Sequence, residues 1–134
     1  MNSFFETWAP RVLSVFRIIL GLLFTEHGTA KLLHFPEVAS FDSLQLFSLI
    51  GLSSVLELVG GILLLLGLFT RATAFVLSGE MAVAYFMVHA PRGFFPLLNQ
   101  GEAAIFYCFA FLYLSVAGGG AWSLDDARHK RTGS

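Results

Sequence analysis

The chain has 134 residues, 56% hydrophobic and 13% charged, with a formal net charge of -1; its mean hydropathy is +0.74. That composition excludes an ordinary soluble domain and predicts an all-α integral membrane protein. No basic run precedes the tail, so no nucleic-acid partner is expected, and the single cysteine, Cys108, excludes an intrachain disulfide or a four-cysteine cluster. Redox work, if any, then needs a bound cofactor or a second protein.

The residues before Pro10 include Phe4, Phe5 and Trp8, aromatics suited to a headgroup interface, and Pro10 suits a helix start. The first span is predicted over about residues 12–35, long enough for a core that needs around 20 helical residues. A cleaved signal peptide is disfavoured, because no small-x-small site follows the apolar run and more spans come after it. Pro36 should end the helix, and residues 37–43 read as a loop with a short interfacial helix.

The second span is predicted over about residues 44–69, with Gly51, Gly60, Gly61 and Gly67 as close-packing positions. Thr70 and Arg71 are expected to form a tight hairpin into a third span, about residues 72–90, stopped by Pro91 and Gly93. Residues 94–98 look like a loop dipping into the interface. Asn99 and Glu102 have capping-box spacing ahead of a short fourth span, about residues 101–118. Gly118, Gly119 and Gly120 lack the strand and the Lys-Ser/Thr of a phosphate loop and read as helix termination, followed by a polar tail over 119–134.

The expected fold is therefore a single membrane domain, a four transmembrane helix bundle. Arg11, Arg71, Arg128, Lys130 and Arg131 fall on one side, against Lys31 and Arg92 on the other, so both termini are expected to be cytoplasmic.

Ionisable residues inside the spans carry the functional reading. Span one holds twelve Val, Leu, Ile or Phe residues between Val12 and Leu33, worth about 4 to 7 kcal/mol of insertion energy. Arg17, Glu26 and Lys31 would oppose it with about 8 to 10 kcal/mol if central and unpaired. Lys31 can snorkel outward, but Arg17 and Glu26 need partners, and Glu57 and Glu80 need a cation or a proton.

Depth at about 1.5 Å per residue sorts these groups into two layers. Arg17, Glu57 and Glu80 are expected in the inner half, with Tyr113 at a similar level, as a buried ion-pair network that fixes register; a functional role is the alternative. Two acids against one arginine suggest that one carboxyl is protonated or shares a proton. Glu26, His27, Lys31, His89, Arg92 and Glu102 fall in the outer half as candidate ligand-binding residues. Acid, imidazole and ammonium together could hold a polar head group such as a quinone ring and pass protons to it. No Glu-x-x-His motif supports metal or haem at His27 and His89, so no haem, Fe-S cluster or metal is expected. Glu102 also reads as a capping residue, and Cys108 as a small buried hydrophobe.

Five motifs in order are similar to one family. His27-Gly28-Thr29-Ala30-Lys31-Leu32, Glu57-Leu58-Val59-Gly60-Gly61, Gly67-Leu68-Phe69-Thr70-Arg71, His89-Ala90-Pro91-Arg92-Gly93-Phe94 and Trp122-Ser123-Leu124-Asp125 resemble the DoxX family, from about Arg17 to Asp125. The resemblance implies a four-helix integral membrane protein of a family often described as membrane oxidoreductases. Relatives include the membrane subunit of a thiosulfate:quinone oxidoreductase, and some members are linked to partner enzymes handling thiols or oxidative stress. No catalytic residue carries over.

The expectation is thus a multi-pass protein of the bacterial inner membrane that binds a small amphipathic ligand, with quinone as the cofactor, in the outer-half pocket. It would serve as an oxidoreductase component beside a redox partner protein, as a monomer or homo-oligomer. The alternatives are a non-catalytic binding or transport protein, and a scaffolding subunit of a membrane complex.

Overall fold

A computed structural model describes residues 2–41 and 45–133. Among these every regular element is helical, with no strand. Helix α1 spans Asn2–Leu32, α2 Leu49–Leu66, α3 Thr70–Ala84, α4 Pro96–Asn99, α5 Glu102–Ala117 and α6 Leu124–Thr132. Three helical stretches are long and apolar enough to cross a membrane, Ser3–Leu32, Leu49–Leu66 and Thr70–Arg92, whereas the apolar α5 is shorter.

Several boundaries differ from expectation for local reasons. Pro10 lies inside α1 rather than at its start. Residues 3–9 are exposed, so the Glu6 carbonyl that the proline ring leaves without an N–H can be solvated at the interface. The start expected for α2 at Leu44, with Asp42 and Ser43 before it, lies outside the described residues; the helix begins at Leu49, where the Ser48 side chain accepts from Gly51 N at 3.1 Å. Of the short interfacial helix expected in this loop, one 3-10 turn forms over Ala39–Phe41.

The hairpin turns at Gly67–Phe69 rather than at Thr70 and Arg71. Gly67 adopts φ 67°, and its N–H caps the Leu63 and Leu64 carbonyls. Thr70 then opens α3 because the Asp125 carboxylate accepts from Phe69 N at 2.8 Å and from Thr70 N at 2.9 Å. Past Ala84 the helical path continues through a π-turn at Tyr85–His89 and a 3-10 turn at Ala90–Arg92. Residues 96–99, expected as loop, form one helical turn. Asn99 is not the N-cap of α5; Gly101 is, and the Asn99 carboxamide holds Gly101 N from the side at 2.8 Å. Within the polar tail, residues 124–132 form α6, capped by Ser123, with Asp125 and Asp126 in its first turn and His129, Lys130 and Arg131 in its last, a charge order that matches the helix dipole.

The bundle is built as two hairpins. Helices α1 and α2 pack backbone to backbone: a Cβ placed on Gly21 would lie 2.7 Å from Leu65 N, one on Gly28 2.6 Å from Leu58 Cα, and one on Gly61 2.5 Å from Thr25 N. Small residues let helices approach this closely, which is how packing is won where lipid removes the hydrophobic drive between helices. Helix α3 packs on α5, where Ser78 Oγ donates to the Cys108 carbonyl at 2.7 Å. Phe24, Leu64, Leu77, Phe111 and Leu114 fill the centre. Between α2 and α3 the packing is looser and leaves an apolar groove of about 340 Å³, lined by Val59, Gly60, Leu63, Thr73 and Leu77 among others. Apolar side chains such as Ile19, Leu52, Val59, Phe75, Val83 and Phe109 stay exposed on the outside, as a lipid-facing surface requires.

Candidate functional site

Arg17 is the most deeply buried charge, 1% exposed, and it does not meet Glu57 or Glu80 as expected. Its guanidinium donates to the carbonyls of Gly119 and, at 2.9 Å, of Trp122. Asp125 is the carboxylate that acts on it electrostatically. The buried Ser14 hydroxyl completes this latch, donating to Gly119 O at 3.1 Å and accepting from Trp122 N at 2.9 Å. Three motifs of the sequence therefore meet here, the Gly67–Arg71 turn, the glycine run and the Trp122–Asp125 segment. The glycine run is what lets this loop lie against α1: a Cβ at Gly120 would sit 2.5 Å from Pro10 O and 2.8 Å from Ser14 N.

Glu57 pairs instead with Lys31. The ammonium lies 2.8 Å from Oε2 and 2.9 Å from Oε1, and 3.5 Å from Ser53 Oγ, and it stands over the Phe41 ring at 5.8 Å. Rather than snorkelling outward as expected, Lys31 turns inward, because the close α1–α2 packing at Gly28 brings Glu57 opposite it. Fourteen residues separate Arg17 from Lys31 on one helix, about 21 Å. Arg17 therefore cannot reach the acids. Glu80, from α3, completes the polar centre: both carboxyl oxygens are buried, meet no donor among the described residues, and face Glu57 and Lys31.

His27 stands one turn before Lys31, exposed on the outside of the bundle. Its Nδ1 lies 2.7 Å from the Leu23 carbonyl. A carbonyl only accepts, so Nδ1 carries the proton and Nε2 of the neutral ring is an acceptor. The ring stacks on Phe24 at 5.7 Å, and Tyr107 meets it edge-on at 6.3 Å. Glu26 is exposed nearby and acts electrostatically on Tyr107.

His89 belongs to a third arrangement. Its Nδ1 donates to Asn99 O at 3.1 Å, and it stacks on Tyr85 at 6.3 Å. Asn99, 0% exposed, donates to Tyr85 Oη at 3.2 Å and to Gly93 O at 2.9 Å while accepting from Gly101 N. Arg92 and Glu102 are exposed on either side of this loop.

The six expected pocket residues are thus divided rather than joined. Lys31 serves the acids, Glu26 and His27 form an exposed edge beside Tyr107, and His89 anchors a loop. Among the described residues no three His, Cys, Asp or Glu side chains converge as a metal cage would need. The groups that do converge are an ammonium, two carboxyls and a hydroxyl, a set suited to protons and hydrogen bonds. Sequence reasoning assigned no role to Ser14 or Asp125, and it read Asn99 as a helix cap rather than as the tie of this loop. Asp125 gave a signal as the last residue of a motif with no other assigned role, and Ser14 gave none.

Apolar helices of spanning length, with charges paired inside them, define a polytopic membrane protein built as a helix bundle. The family model described as DoxX matches residues 12–90. The chain belongs to the DoxX family. It is 44% identical to an "Uncharacterized protein" of Haemophilus influenzae over 98% of this chain and 100% of that one. It is also 26% identical to an "Uncharacterized membrane protein" of Mycobacterium tuberculosis, over 91% of this chain and 83% of the relative. No solved structure matches the chain.

Proposed function

We propose that this DoxX-family membrane protein is a quinone-linked oxidoreductase component. A small amphipathic molecule of quinone type engages the lipid-facing edge at His27, and a partner protein supplies the second redox half. In this reading α5 is the fourth span of a multi-pass bundle in the bacterial inner membrane. Both termini are cytoplasmic, on the side of Arg11, Arg71 and the basic end of α6.

One observation carries the proposal. The Nδ1 proton of His27 is committed to the Leu23 carbonyl, which leaves Nε2 of the exposed ring as an acceptor beside Tyr107. A quinone head group fits such an edge, because it presents a flat ring to aromatics and a hydroxyl or carbonyl to polar groups, and it arrives through the bilayer. When bound it supplies two-electron, two-proton chemistry. The chain's own share is to orient the ring against the half-buried Tyr107 and to take a hydroxyl proton at His27 Nε2. Glu26 then stabilises the charged imidazolium.

The experiment is mass spectrometry of small molecules that copurify in mild detergent. Stoichiometric quinone in the wild type, depleted in H27A, supports the proposal. Equal and trace quinone in both rejects it.

A second reading, a scaffolding subunit, is favoured by the Arg17 latch, whose hydrogen bonds all run to carbonyls of this same chain, at Gly119 and Trp122. Retention of a partner complex by H27A, with unchanged electron transfer, would select it.

A further inference from the structure

We propose that Glu57 and Glu80 hold one proton between them, making the centre between α1, α2 and α3 a proton-binding site inside the bundle. The inference does not depend on quinone binding.

It rests on a count of charges in a closed space. Glu57 is 3% exposed and both its oxygens lie within 3 Å of the Lys31 ammonium, at 2.8 and 2.9 Å. That ammonium is therefore committed. Glu80 contributes a second carboxyl whose two oxygens are both buried and meet no donor among the described residues. The group it faces is the Glu57 carboxyl, near enough for a side-chain hydrogen bond. Two carboxylates cannot hydrogen-bond each other, since neither has a hydrogen to give; one proton between them supplies the missing donor.

The elements around Glu80 offer no other counter-charge. Helix α1 presents Lys31, α2 presents Glu57, and among the described residues no further charged group acts on Glu80. Of the titratable groups on α5, Cys108 faces Ser78, and Tyr107 lies with Phe24 and His27. An added metal cation would have to sit beside the Lys31 ammonium. A proton needs no such space. With it, an ammonium, a carboxylate and a carboxylic acid leave the centre neutral, the state that burial in hydrocarbon favours.

Infrared difference spectroscopy of the full chain in phosphatidylcholine vesicles at neutral pH tests this. The wild type should show a carboxylic C=O band equal to one group per chain, moving to lower frequency when the vesicles are transferred to D2O. E80Q and E57Q each leave one acid against Lys31 and should each lose that band. K31M should enlarge it. A wild type without the band, as when both acids are ionised around a metal ion, overturns the proposal. So does a band that persists in E80Q. If E57Q fails to fold, E80Q and K31M still decide the outcome.

Discussion

Lys31 reaches across from α1 to grip both oxygens of Glu57 on α2, at 2.8 and 2.9 Å, one turn beyond the point where Gly28 brings the two helices together. The pair is at once a register pin and the counter-charge for a polar centre that α3 completes with Glu80. Removing one partner of a buried pair leaves an uncompensated charge. K31M should therefore lower stability by about 3 kcal/mol. The double variant K31M/E57Q should recover most of that loss, as read from thermal unfolding in detergent.

The Asp125 carboxylate caps the start of α3 through Phe69 N and Thr70 N, and Asp125 N in turn donates to Gly67 O at 2.9 Å. D125A should cost about 1 to 2 kcal/mol as a lost cap. It should also free α6, so that trypsin cleaves after Arg128 and Lys130 several-fold faster than in the wild type. Unchanged cleavage would mean that α6 is held by something other than this cap.

Gly28 faces the Leu58 backbone with no room for a side chain. G28A should separate α1 from α2 and destabilise the chain by about 1 to 3 kcal/mol, the usual cost of overpacking. G79A provides the control, since nothing lies within 4 Å of a Cβ there. Thermal unfolding of the two variants side by side measures the difference.

Asn99 uses its carboxamide to tie Tyr85, Gly93 and Gly101 together. N99L should raise amide exchange over residues 93–101 at least tenfold, while α1 and α2 keep wild-type protection. Hydrogen exchange read by mass spectrometry gives both values in one experiment.

The apolar runs make the spans legible in the sequence, because length and hydropathy decide what a bilayer admits. The depth of Lys31 is not legible there. A lysine near a helix end ordinarily snorkels, and only the glycine contacts at Gly21, Gly28 and Gly61 set the register that turns it toward Glu57. Arg17 departs from expectation for a different reason. Its partners are backbone carbonyls of Gly119 and Trp122, which carry no signature in side-chain identity and come from about one hundred residues away. His27 is recognisable as a candidate from its place in an apolar span, but its tautomer depends on one hydrogen bond to Leu23 O that no residue type announces.

Whether His27 receives a quinone-type head group is decided by titrating decylubiquinone into the purified protein in detergent and comparing the wild type with H27A. The wild type should bind saturably and H27A at least tenfold more weakly, with N99L unaffected as a control for general damage. Equal affinity in the wild type and H27A would contradict a role for His27 in quinone binding.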